Sequence, residues 1–216
     1  MENNVITDYK IKQRKDVYNG YVKIEELTIA NGDKEFKREI LTTTNSVAAI
    51  IKDTVKNKYI FVSQYRAGSE GLMVEVVQGK IDKGEKPEEA IKREIMEETG
   101  YKVDYSNHLK DFYVLPGRTN EISSVFYVEV SEQVNEGGGM GDEYITLVEV
   151  ESLGLGGRLF FEDPMNVEMK VGEEHKIKPP YQLIDSTSLI AVMTLENSNI
   201  LKDMADVITQ AKLRSI

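Results

Sequence analysis

Cysteine and tryptophan are absent from this 216-residue chain, which also has only two histidines and five prolines. Without cysteine there is no disulfide scaffold, no thiolate metal site and no Cys nucleophile. That composition fits a reducing cytoplasm. Gly (16) and Pro (5) are too scarce for a collagen-like or low-complexity chain. Missing too is any run approaching eighteen apolar residues, which excludes a membrane-spanning helix. The opening segment MENNVITDYKIKQRKD has no apolar stretch behind a basic start, so it does not read as a secretory signal. Nor is there an excess of positive charge: 27 Lys and Arg stand against 37 Asp and Glu, a formal net charge of −10. This balance disfavours nucleic acid and anionic membranes as partners. The length suits one sizeable core, alone or with a small appendage.

What is present is a succession of strands interrupted by one strong helical pattern. Segments 21–29 (YVKIEELTI) and 34–44 (KEFKREILTTT) flank an Asn31-Gly32 turn signal and predict a β-hairpin. Further strands are predicted over 47–53, 59–66, 72–78, 110–115, 121–130 and 144–150. Between them, Ala90, Ile91 and Ile95 have helical spacing over 87–99, with Pro87 suited to a first turn and Gly100 to the position past the end. Two helices are predicted to close the chain. One spans 182–196, with Ile184, Ser188, Ala191 and Leu195 on a stripe; the other spans 199–213, with Leu201, Met204, Ile208 and Ala211. Residues 151–180 read as a long surface excursion. His108 and His175 lie in polar sequence and read as solvent-exposed rather than as ligands. The pattern predicts an α+β fold: a small antiparallel β domain over 1–45, then a mixed sheet with helices over 46–216, carrying an insertion at about 151–180.

The chemistry is concentrated in residues 79–101, GKIDKGEKPEEAIKREIMEETGY. On a helix Glu94, Glu97 and Glu98 stand at i, i+3 and i+4, with Cβ atoms about 5–6 Å apart on one face. Three like charges so close weaken an isolated helix, and a solvated acidic face is the ordinary reading of such a run. Hard divalent cations such as Mg²⁺ give it another use, because they take carboxylate oxygens. Arg93 lies four residues before Glu97 and can fix that carboxylate. Gly79 would let the backbone turn tightly ahead of the helix, bringing a main-chain carbonyl to the same place.

This stretch resembles the Nudix box, G-x5-E-x7-R-E-U-x-E-E-x-G-U with U a bulky apolar residue, and matches every fixed position from Gly79 to Tyr101. The resemblance implies the Nudix α/β/α sandwich and metal-dependent hydrolysis of a nucleoside diphosphate linked to another group. The flanks are similar to the ADP-ribose/nucleotide-sugar branch. VSQYRAG and MVEVVQGKID precede the box, Pro116 follows it in YVLPGRTNE, and IDSTSLIAV resembles the branch's late helix. NEGGGMGDEYITLVEV resembles a loop and strand of GDP-mannose pyrophosphatases.

The resemblance implies roles residue by residue. Glu94, Glu97 and Glu98, with the main-chain carbonyl of Gln78, would hold Mg²⁺, with Mn²⁺ as the alternative ion. Arg93 and Glu97 belong to the catalytic set, with Glu143 as the base in a loop that glycines 137–139 would let close over the metals. Arg66, Glu75 and Pro116 would contact substrate. Members of this branch sandwich the base between tryptophans; lacking them, this chain has Tyr21 and Phe36 at the matching positions. The N-terminal domain would form a homodimer, and the partners would be a nucleotide-sugar substrate but neither nucleic acid nor membrane. Two alternatives remain: GDP-mannose pyrophosphatase as the main activity, and a non-catalytic Nudix-fold ligand sensor. Sensors commonly lose the box carboxylates, and here all are present.

Overall fold

In the computed structural model the described residues are 8–151 except 142, the pairs 170–171 and 175–176, and 185–198 except 196. They fall into two compact units. The first comprises the chain up to Asn45 together with Phe112–Ile122. Its strands β1 (Tyr9–Asn19), β2 (Lys23–Asn31) and β3 (Lys34–Thr42) form an antiparallel sheet in that order. Asn31 pairs with Lys34, so the hairpin loop is Gly32-Asp33, with Gly32 at φ +59°. Glycine meets that left-handed requirement without a Cβ penalty. The sequence marks two strands here and the structure has three. All eleven residues of β1 are exposed and its pairing shifts register twice, as suits a charged edge strand with no core-facing alternation. The unit is also discontinuous in sequence: Leu41 N–H donates to the Arg118 carbonyl at 2.8 Å, and Thr43 N–H to Asn120 Oδ1 at 2.9 Å.

The second unit is built on a seven-stranded mixed sheet. Its strands are β4 (Ser46–Asp53), β5 (Lys58–Arg66), β6 (Gly71–Glu75), β7 (Val77–Lys80), β8 (Tyr101–Tyr113), β9 (Ile122–Gln133) and β10 (Thr146–Glu151). The main order is β10-β5-β4-β9-β8, and the β4–β9 pair is parallel. Strand β4 (SVAAIIKD) is apolar almost throughout and central, so both its faces are covered. Its Val47, Ala49 and Ile51 share a buried cluster with Ala90, Ile91 and Ile95 of helix α1 (Pro87–Thr99). Pro87 takes the first turn of α1, and Gly100 follows its end at φ +70°.

One predicted strand proves to be two. Over 72–78, β6 pairs with β5 and β7 pairs with β4, with the switch at Val76. The buried Val76 N–H left over at the switch donates to Ser188 Oγ at 2.9 Å. Ser188 belongs to helix α2 (residues 186–195), on which Ser188, Ala191 and Leu195 are buried. Conversely β8 runs far beyond the predicted 110–115. Its solvated residues Lys102, Asp104, Asn107 and Lys110 hide a sheet-edge strand from hydropathy patterning. The strand includes His108, which is exposed and bonds to Asp111 Oδ1 at 2.8 Å.

In the excursion, β11 (Lys170–Val171) and β12 (His175–Lys176) form a short antiparallel pair. The rest of 152–180, Ile184, and the predicted helix 199–213 with Leu201, Met204, Ile208 and Ala211 lie outside the described residues. Among the described residues, no helix is long and apolar enough to cross a membrane.

Because the Val76 amide has its partner in a side chain, Ser188→Ala leaves a buried donor unsatisfied. Urea unfolding is expected to show a loss of about 1–3 kcal/mol; a loss below about 0.3 kcal/mol would count against this bond holding the strand switch.

Candidate active site

One guanidinium organises the acidic face of α1. Arg93 Nε and Nη2 donate to the two Glu85 oxygens at 3.0 and 2.9 Å, and Nη2 also donates to the Lys80 carbonyl at 2.9 Å. Its Nη1 reaches Glu94 Oε1 at 2.8 Å and Glu97 Oε2 at 3.1 Å. These bonds, led by Glu85, push the Arg93 guanidinium still further above its ordinary range. Gly79 sits against the same cluster from inside β7. Its φ is not left-handed, so space rather than a turn requires glycine: a Cβ there would overlap the Glu94 carboxylate.

Glu98, one turn further along the same face, is buried and only 6% exposed. Its Oε2 is buried with no hydrogen-bond partner among the described residues. Burial, reinforced by the charges of Glu94 and Glu143, pushes its carboxyl up to about 9. Glu94 is raised as well, by burial first, while Arg93 pulls it back. An orphaned carboxylate oxygen among other carboxylates suits a hard divalent cation. Among the described residues, no three acidic or histidine side chains converge on one point, and Arg93 engages both Glu94 and Glu97.

Next to Glu98 lies a second buried carboxylate, treated in the opposite manner. Glu75, buried at the end of β6, receives Arg66 Nε at 3.1 and 2.8 Å and Arg66 Nη2 at 2.6 Å, and Gln78 Nε2 at 3.2 Å. A buried carboxylate stripped of such a partner costs about 3–5 kcal/mol. Burial alone would lower the Arg66 guanidinium, but Glu75, Glu98 and Asp185 together raise it. Asp185 is the residue the sequence reading missed. Its Oδ2 caps α2 by accepting from the Thr187 and Ser188 amides at 2.9 and 3.1 Å, while Oδ1 is buried without a partner among the described residues. The predicted helix 182–196 places Asp185 inside its first turn, whereas α2 starts after it, so Asp185 is a cap residue.

Glu143 is exposed, and its Oε2 accepts from the Met140 amide at 3.3 Å. Arg66, Glu75, Gln78, Arg93, Glu94, Glu97, Glu98 and Glu143 thus all belong to the second unit, linked by hydrogen bonds or by their charges. Tyr21, Phe36 and Pro116 belong to the first. Tyr21 lies fully exposed in the β1–β2 turn, whereas Phe36 pairs with Ile29 near the other end of β2. Roughly 20 Å of strand therefore separates the two rings. Phe36 packs edge-on to Tyr9 at 6.3 Å, with the Arg38 guanidinium over its ring. Pro116 is exposed in the turn that Arg118 and Thr119 close on the Leu115 carbonyl.

Comparison with known families gives a match to the NUDIX domain over residues 42–164. The chain belongs to the NUDIX family. This Nudix hydrolase is 37% identical over 128 residues to an ADP-ribose pyrophosphatase of Bacillus subtilis, covering 59% of this chain and 68% of the relative. A methanol dehydrogenase activator of Bacillus methanolicus is 33% identical over 145 residues, covering 65% and 77%. A GDP-mannose pyrophosphatase of Cronobacter sakazakii is 31% identical over 134 residues, covering 58% and 70%. The fold is similar to that of a crystal structure of an ADP compounds hydrolase, at TM-score 0.69 and 19% identity over 89% of this chain and 94% of that one. The α+β class with its mixed sheet and N-terminal three-stranded sheet accords with that fold, and the hydrolase class acting on phosphoric anhydrides accords with the family.

The Nudix carboxylate Glu98 makes stability depend on pH in a stated direction. Folding holds its proton more tightly than the unfolded chain does, so its contribution is complete below about 4.5 and drains away as pH rises through about 9. Thermal unfolding of the chelator-treated protein is expected to fall in midpoint from pH 5.5 to pH 9, and Glu98→Gln to flatten that slope. An unchanged slope in the variant would assign the effect to another group.

Proposed function

We propose that this Nudix hydrolase cleaves the diphosphate linkage of ADP-ribose or of a nucleoside diphosphate sugar in the cytoplasm, giving a nucleoside monophosphate and a sugar phosphate. The observation that carries the reading is the orphaned, buried Glu98 carboxylate beside Glu94 and within the influence of Glu143. The names of the relatives that act on ADP-ribose and on GDP-mannose support the substrate class. Glu94, Glu97, Glu98 and the carbonyl of Gln78 are the proposed ligands of Mg²⁺ or Mn²⁺, a donor set of oxygens alone. When bound, such ions neutralise diphosphate charge and make a coordinated water more acidic.

The chain's own groups do the rest. Arg93 supplies the counter-charge that keeps Glu94 and Glu97 together. Arg66, clamped by Glu75, presents a guanidinium already oriented for a phosphate oxygen pair. Glu143, exposed at the end of the glycine loop, is the proposed acceptor of the proton from the attacking water.

Release of nucleoside monophosphate should be measured with ADP-ribose, GDP-mannose, UDP-glucose and dinucleoside polyphosphates in the presence of Mg²⁺. Turnover of at least one sugar nucleotide is expected, with Glu98→Gln lowering it by about 10³-fold or more at unchanged fold. Activity of the variant equal to the parent's would refute the ligand assignment. A second reading is favoured by the relative named as a methanol dehydrogenase activator: a chain that binds a nucleotide and regulates a partner enzyme. Binding without turnover of any substrate in the panel would select it.

The first unit offers a separate proposal, a homodimer formed through the three-stranded sheet. Tyr9, Ile11, Val17 and Tyr18 of β1 expose apolar surface on an edge strand, the arrangement most prone to pair with another chain. Sedimentation equilibrium is expected to give twice the mass of the 24.5 kDa chain, and Ile11→Lys with Tyr18→Lys to shift it toward the monomer. A parent that sediments as a monomer at micromolar concentration would exclude this interface.

A further inference from the structure

The last four carbonyls of an α-helix have no partner within the helix. In α1 all four have partners, one from the cap residue that continues the ladder and three from beyond the helix. Met96 accepts from the Gly100 amide at 3.0 Å and Thr99 from Gln133 Nε2 at 3.0 Å. The other two, Glu98 and Glu97, accept from the amides of Gly138 and Gly139 at 2.9 and 3.0 Å. The glycine run therefore grips the main chain of two of the three residues whose carboxylates form the proposed metal site.

Three left-handed residues in succession make this grip. Gly137, Gly138 and Gly139 have φ of +65°, +106° and +83°, values that side chains with a Cβ adopt rarely and at a cost. Space is as restrictive as conformation. A Cβ on Gly137 would lie 2.5 Å from the Glu98 carbonyl oxygen and 2.6 Å from the Thr99 carbonyl carbon, backbone atoms that have little room to yield. On Gly139 it would lie 2.8 Å from the Cβ of Glu143. At its far side the run is tied to the core, because the Gly138 carbonyl accepts from the Ile145 amide at 3.2 Å and Ile145 belongs to the buried cluster shared with α1. Glu143 lies between these two anchors. Swinging the loop about 137–139 would strip the Glu97 and Glu98 carbonyls of their partners.

We propose that Gly137–Gly139 are positioning residues: a strap that sets Glu143 in register with the last turn of α1, not a hinge on which the loop opens. This rests on Glu98 and Glu143 acting in hydrolysis as assigned above. At the tip of the loop Met140 is exposed and Gly141, at φ +65°, has open space around it, so no comparable packing constraint acts there.

Amide hydrogen exchange of the full chain without substrate tests the strap independently of turnover. The Gly138 and Gly139 amides are expected to exchange at least about a hundred-fold more slowly than in an unstructured chain. Kinetics then test positioning. With the substrate that the parent turns over, Gly137→Ala is expected to lower kcat about ten-fold or more while KM stays within about two-fold, and Gly141→Ala, equally left-handed but with open space around it, to lower kcat by less than about three-fold. Unprotected Gly138 and Gly139 amides in an active parent would overturn the strap, as would equal losses in the two variants. Should Gly137→Ala not fold, exchange in the parent decides alone. A parent inactive on the whole substrate panel would instead overturn the hydrolase assignment and the positioning role with it, whatever the exchange rates.

Discussion

The arrangement of α1 depends on a single guanidinium. Glu94, Glu97 and Glu98 repel one another along the helix, and Glu85 adds a fourth charge from the loop that precedes it. Arg93 bonds three of these carboxylates and the Lys80 carbonyl at once. A lysine, with one compact ammonium, could not span that set; the planar fork of arginine can. Strand β7, the turn after it and the helix are therefore joined through one residue, and Gly79 only has to stay out of the way of the Glu94 carboxylate that Arg93 holds.

Two neighbouring buried carboxylates meet opposite fates. Glu75 is held by hydrogen bonds from Arg66 and Gln78. Glu98 is left with an unpartnered oxygen and a strongly raised proton affinity. Folding stability and chemical readiness pull against each other at such a position, and a buried carboxyl with a strongly raised proton affinity marks a candidate functional site. The contrast between the two glutamates, more than the number of acids on the helix, distinguishes this face of α1 from an ordinary solvated stripe.

Elements with a local signature were legible in the sequence. Helix α1 carries Pro87, a clean apolar stripe and Gly100, and strand β4 is apolar on both faces; each lies where its pattern puts it. Strand β1 was not delimited within the predicted β domain, and β8 was marked only over its last residues, because edge strands with solvated faces lack the alternation that marks burial. The role of Gly79 was half read: the residue had to be glycine, but for a side-chain clash across space rather than a local turn. Asp185 and the Arg66–Glu75 clamp involve partners that only the tertiary structure brings together, and one chain's residue order carries no record of such pairs. The glycine loop is the clearest case. Composition reads as freedom, whereas the hydrogen bonds to Glu97 and Glu98 make those glycines a fixed fitting.

The strand switch at Val76 has a geometric effect on what a short stretch of chain can present. In an unbroken strand, positions two apart face the same side and positions three apart opposite sides. Handing the chain from β5 to β4 at Val76 keeps the alternation: Glu75, paired with Val62, and Val77, paired with Ala49, share the side of the sheet that carries the α1 cluster. The long Gln78 side chain nevertheless reaches the Glu75 carboxylate at 3.2 Å. One short run of chain thereby locks Glu75 to Arg66 of β5 and, four residues on, delivers Gly79 against Glu94, with the amide released between them taken by one hydroxyl from a distant helix.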